Sequence, residues 1–140
     1  RYVMPGTYVA HLTIDGESSS QRFVVREDSR VTITPVARQQ WHAALDDVAA
    51  LYRTTIALAD SARVERLRLE KDASSDARRL AEVKDVQETA TELVARIASL
   101  YGNVVRVTAP PTSDQKAQQM YFPSVLKTLQ ARWRALGTRS

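Results

Sequence analysis

From Gly6 to Ile14, in GTYVAHLTI, the chain alternates so that Tyr8, Ala10, Leu12 and Ile14 share one face of an extended segment and Val9, His11 and Thr13 the other. This is the pattern of a half-buried strand. Asp15-Gly16 follows, a pair that tolerates the positive φ angles of a two-residue type I′ turn. A turn there sets Ile14 opposite Glu17, Leu12 opposite Ser19, Ala10 opposite Gln21 and Tyr8 opposite Phe23, gathering Tyr8, Phe23 and Val25 at the open end of a hairpin. The second strand, SSSQRFVVRED, ends in charge and runs through SRVTITP to Pro35. A two-stranded hairpin is marginal alone in water. Tyr8, Leu12, Ile14, Phe23 and Val25 therefore form the candidate contact face, to be covered by the helices that follow or by another polypeptide. Both strand edges also want partners.

Beyond Thr34-Pro35, an N-cap followed by Pro at the first helical position, the period changes to that of a helix. Trp41, Leu45, Val48, Tyr52, Ala59, Ala62 and Leu69 recur in steps near 4 and 3, interrupted by Thr55 and Arg66 and widened by Ala44, Leu51 and Leu58. KDASSDA breaks the pattern, with Ser74 or Ser75 available to cap a second helix. That helix carries Leu80, Val83, Ala90, Val94, Ile97 and Tyr101 with Gln87 in the seam, and Gly102 stands at its expected C-terminal cap. So short a break predicts antiparallel packing of the two helices. NVVRVTAPP is expected as an extended connector, because Pro110 and Pro111 fit no helix interior. Thr112 and Gln115 have the form of a capping box opening a third helix, with Phe122, Leu126, Leu129, Trp133 and Leu136 as its seam. Pro123 predicts a kink or a restart within it.

The fold class expected is therefore α+β, mainly α: residues 1–34 as the hairpin of an incomplete immunoglobulin-like sandwich, residues 35–140 as an antiparallel three-helix bundle. At 140 residues the chain can bury a working core, and its 44% hydrophobic and 26% charged fractions are those of a soluble globular protein. No run approaches the roughly 18 apolar residues of a membrane span. Without cysteine the chain makes no disulfide, thiolate metal site or thiol nucleophile. A net charge of +4 permits weak attraction to nucleic acid. In RVERLRLEKDASSDARRLAEVKD, however, the two signs alternate as on solvated helix faces, whereas a nucleic-acid footprint needs one clustered sign. No nucleic-acid partner is expected.

Taken together, MPGTYVAHLTIDGESSSQRFVVREDSRV resembles the closing hairpin of the immunoglobulin-like or fibronectin-type module that ends many exported bacterial proteins. The segments LYGNVVRVTAPPTSDQ and LQARWRAL resemble the helical tail of bacterial sortilin-like, BNR-repeat β-propellers, which are glycosyl-hydrolase-like; similar propellers include photosystem assembly factors. The resemblance is to a tail and carries over no catalytic residue. It implies an extracytoplasmic, periplasmic or secreted, bacterial setting, and association with a membrane complex through protein partners or through an upstream β-domain. The opening RYVMPGTY, with no leader pattern, reads as a piece of a longer chain.

Chemistry-bearing residues are sparse. His11 and His42 are the only histidines, and neither is accompanied by the cluster of Asp, Glu or His at i,i+3 and i,i+4 that a metal site needs. Asp46 with Asp47, and Glu65 with Glu70, are carboxylate pairs on an amphipathic helix, expected as surface charge because general acid–base work needs a pocket that shifts pKa values. Trp41, Tyr52, Tyr101, Tyr121, Phe122 and Trp133 suit a sugar-binding strip less well than a core, given their seam positions. Ser18-Ser19-Ser20 lacks the frame of a nucleophile elbow. No catalytic residue, metal or cofactor is assigned. The function expected is a non-catalytic interaction or stabilising module, the C-terminal part or an accessory subunit of a larger assembly. The alternative is the tail of a carbohydrate-active propeller hydrolase whose active site lies outside the chain.

Overall fold

A computed structural model describes residues 3–72 and 75–137 and shows an α+β, mainly α, chain. Two antiparallel strands, β1 (Gly6–Ile14) and β2 (Glu17–Val25), precede three helices, α1 (Pro35–Lys71), α2 (Ala77–Arg106) and α3 (Ser113–Gly137).

The helices begin where side chains satisfy their free N–H groups. Thr34 Oγ1 accepts from the Ala37 N–H with Pro35 in the first turn, and Asp76 accepts from the Arg78 N–H. Thr112 and Gln115 close the reciprocal capping box, at 3.2 and 2.9 Å. The second helix is thus capped by Asp76, while Ser75 turns back to donate to the Leu69 carbonyl at the end of α1; Ser74 lies outside the described residues.

α1 and α2 pack antiparallel. Trp41 near the start of α1 donates its indole N–H to the Val104 carbonyl near the end of α2, 2.9 Å away. Close to the α1–α2 turn, Glu65 meets Arg79 at 3.1 Å and Glu70 meets Lys84 at 3.3 Å. α3 returns across them, tied by Arg132 to Asp85 of α2 and by the Gln119 amide to the Ala44 carbonyl of α1. The core runs through Trp41, Leu45 and Val48 of α1, Ala90, Leu93, Ile97 and Leu100 of α2, and Phe122, Leu126 and Leu129 of α3. A second cluster near the turn joins Ala62, Leu69, Val83, Val86 and Leu136.

Several sequence expectations change. Thr55, expected to interrupt the first seam, is fully buried, its hydroxyl donating to the Leu51 carbonyl of its own helix at 2.8 Å. The seam of α2 is Val83, Val86, Ala90, Leu93, Ile97, Leu100 and Val104, with Val94 and Tyr101 only half-buried. Gly102 does not end that helix, which continues to Arg106, so the extended connector shortens to 107–112. The reason is tertiary. Glycine inside a helix costs about 1 kcal/mol, and burial of Val104, whose carbonyl in the last turn gains the Trp41 donor, outweighs it. α3 runs unbroken through Pro123, with no restart at Phe122. Trp133 is half-buried at the boundary of the two clusters instead of within the core.

The hairpin as candidate interaction site

The register of β1 with β2 has Ile14 opposite Glu17, Leu12 opposite Ser19, Ala10 opposite Gln21, Tyr8 opposite Phe23 and Gly6 opposite Val25. Asp15 (φ 50°) and Gly16 (φ 86°) occupy the turn, both in the left-handed region that a type I′ turn demands. These pairings sort the hairpin into two unlike faces. One bears Tyr8, Ala10, Leu12 and Ile14 along β1 and crosses to Phe23 and Val25 of β2 at the open end. The other is tied by polar cross-strand contacts, His11 Nδ1 to Ser20 Oγ at 2.7 Å and Thr13 Oγ1 to Ser18 Oγ at 2.9 Å.

The structure brings the five candidate residues onto that first face together. Tyr8 and Phe23 stack with ring centroids 5.9 Å apart, and the Tyr8 hydroxyl donates to the Met4 carbonyl at 2.6 Å. This local cluster leaves Tyr8 and Val25 half-buried. Leu12 is 60%, Ile14 61% and Phe23 46% exposed. No strand residue comes within 8 Å, Cα to Cα, of a helix residue, and the bundle leaves Leu12, Ile14 and Phe23 open. The reverse face carries apolar side chains outside the five candidates: Val9 is 47% and Val24 58% exposed.

Between hairpin and bundle the chain is held by charge and an aromatic ring. Arg38 of α1 pairs with Glu27 and lies over the Trp41 ring, 5.1 Å from its centroid, with its side chain only 11% exposed. A guanidinium so placed combines an ion pair with a cation–π contact. Asp28 and Arg30 pair next to it, and that hydrogen bond holds the Asp28 carboxyl below its ordinary value. The segment after β2 is thereby fastened to the first turns of α1.

The other candidate carboxylates and aromatics, with His42, lie on the bundle. Among the described residues no three His, Cys, Asp or Glu side chains cluster as metal ligands. His42 meets Asp46 at 3.3 Å beside an open cleft of about 500 Å³ that also borders Asp47, Arg53 and Tyr101. The hydrogen bond from Arg68 lowers the Glu65 pKa, with Arg79 adding to it. Burial would raise that of Glu70, but Lys84 and Arg66 override it and the net shift is downward. Both carboxyls are held charged, the opposite of what a general acid needs. Of the aromatic residues, Trp41 and Phe122 are buried, Tyr52, Tyr101 and Trp133 half-buried, and Tyr121 is 57% exposed; they form no continuous strip. Among the described residues no helix is long and apolar enough to cross a membrane.

Comparison with protein-family models, with curated proteins and with solved structures finds no match to the chain.

Proposed function

We propose that the chain is a non-catalytic interaction and stabilising module, the C-terminal part or an accessory subunit of a larger extracytoplasmic bacterial assembly, and that its hairpin is completed by β-structure from outside residues 1–140. The observation that carries this reading is the uncovered apolar face. Leu12, Ile14 and Phe23 stand open to solvent while the three helices satisfy one another's seams. Burying such side chains is worth roughly 1.5–3 kcal/mol each, and an isolated hairpin is marginal without a second layer. The bundle offers the partner a charged surface, and the Arg38 joint fixes where the hairpin leaves it. The extracytoplasmic placement rests on the sortilin-like resemblance of the hairpin and tail. Whether the assembly is a membrane-associated complex or a propeller hydrolase, the role of these residues is the same: to pack and to hold.

Because the chain lacks cysteine, single thiols test the proposal. Leu12→Cys and Met120→Cys, the latter on a side chain 79% exposed on α3, are expressed in the native cell and treated with a thiol reagent that does not cross the inner membrane. Met120→Cys is expected to label in both cell and purified chain, Leu12→Cys only in the purified chain. Equal labelling of Leu12→Cys in both would overturn the covered hairpin; failure of Met120→Cys to label on intact cells would overturn the extracytoplasmic placement.

A further inference from the structure

The two edges of the hairpin are not alike. β1 carries no Asp, Glu, Lys, Arg or Pro along its nine residues, and its pairing with β2 is unbroken by any bulge. β2 carries Glu17 and Arg22 and a run of serines. Proteins protect exposed edges with charge, Pro or bulges, and β1 has none of them. A two-residue turn is bracketed by a hydrogen-bonded pair, and such pairs alternate with non-bonded ones along the ladder. The backbone groups of Thr7, Val9, His11 and Thr13 therefore point away from β2, free for another strand.

We infer that the occupant of this edge is β1 of a second copy, paired antiparallel about a two-fold axis at Ala10 to give a four-stranded sheet β2–β1–β1–β2. This inference rests on the reading that the hairpin is completed from outside the chain, and names what takes its β1 edge; pairing in the plane of the sheet leaves the face of Leu12, Ile14 and Phe23 to the rest of the assembly. The strand is self-complementary in that register. Thr7 falls opposite Thr13 of the second copy, Tyr8 opposite Leu12, Val9 opposite His11 and Ala10 opposite Ala10. All nine positions pair, the outward backbone groups meet one another, and apolar face joins apolar face. No Asp, Glu, Lys or Arg side chain lies within the new seam. Pairing the other edges in the same way would set Ser19 against Phe23 and Ser20 against Arg22, a poorer match. An isologous contact of this kind closes on itself and leaves the two charged β2 strands outermost.

One strand edge is small beside the roughly 1,200 Å² of a stable interface. The dimer is accordingly weak and populated only at high protein concentration. Ala10→Cys places two thiols across the axis, where opposed Cα atoms of a non-hydrogen-bonded pair lie about 4.5 Å apart, within disulfide reach. Gln21→Cys, its neighbour on β2, is the control. On mild oxidation at high concentration Ala10→Cys is expected to yield at least about tenfold more covalent dimer than Gln21→Cys, given the geometry a disulfide needs. In the Ala10→Cys background, Val9→Pro removes an outward N–H and should abolish the cross-link, whereas Ser20→Pro does the same to the β2 edge and should leave it. Sedimentation of the unmodified chain should show the monomer–dimer equilibrium. Equal cross-linking of the two cysteine variants, or a monomer at every concentration, overturns the inference. If that monomer has fast-exchanging hairpin amides the broader reading stands; if its hairpin is strongly protected, both fail.

Discussion

Trp41 and Trp133 are the only tryptophans in the chain, and the structure ranks them in an order that seam periodicity alone does not give. Trp41 is 4% exposed, bonded through its indole N–H to the Val104 carbonyl and covered by Arg38. Trp133 is half-buried at the edge of two clusters. Truncating a core Trp to Ala costs about 3–5 kcal/mol. Trp41→Ala belongs at the upper end of that range, since it also leaves a partly buried carbonyl without its donor, itself worth roughly 1–3 kcal/mol. Trp133→Ala removes less buried surface and no hydrogen bond recorded in the structure, so about half the core figure is expected, roughly 2 kcal/mol. With an unfolding entropy of about 2.1 cal/mol/K per residue over a bundle of roughly 100 residues, each kcal/mol lowers Tm by about 5 °C. The expected falls are thus about 25 °C for Trp41→Ala and about 10 °C for Trp133→Ala, followed by circular dichroism at 222 nm. Each variant keeps a single Trp, so its fluorescence reports the other site: the emission of Trp41 should lie to the blue of that of Trp133. Equal shifts in Tm, or the reverse order, would refute the placement of α3 against the other two helices.

Thr55→Val should leave stability unchanged or raise it slightly by thermal melt, because the buried hydroxyl donates to a carbonyl that already belongs to its own helix and the replacement has the same shape. The lowered pKa of Glu65 contributes stability that is present above the ordinary glutamate value of 4.5 and is lost as pH falls through the depressed folded value; acid titration of Tm should show that loss, and Glu65→Gln should weaken it. Gly16→Val forces a β-branched residue into φ +86°, so it should broaden the strand signals in NMR spectra while leaving the helical melt where it was, since no strand Cα lies within 8 Å of a helix Cα.

Sequence reading served best where the determinant is local. The hairpin register follows from strict alternation plus Asp15-Gly16, and the starts of α1 and α3 from Thr34 and from the Thr112–Gln115 box. It failed where the determinant is a neighbour distant in sequence. Placing Gln87 in the seam of α2 led toward Val94 and Tyr101 and away from the Val86, Leu93, Leu100 and Val104 positions, which complete an unbroken 3,4 repeat from Val83. Which of two adjacent stripes is buried depends on where α1 and α3 lie. The end of α2 was misplaced because no local pattern announces that Trp41, 63 residues earlier, satisfies a carbonyl beyond Gly102. The five hairpin residues are legible as an apolar face from their alternation, because that pattern is local to the two strands.

The central claim is that this hairpin depends on protein from outside its own 140 residues, and backbone hydrogen exchange tests it most directly. In the isolated chain, diluted until it sediments as a monomer, the α2 amides from Val86 to Leu100 should be strongly protected, while those of Tyr8 to Ile14 and Arg22 to Val25 exchange quickly, as in a marginal two-stranded sheet. In the native assembly the same strand amides should become protected. Strong protection of β1 and β2 in the dilute monomer, equal to that of α2, would show that the chain stabilises its own β-structure and would contradict the account.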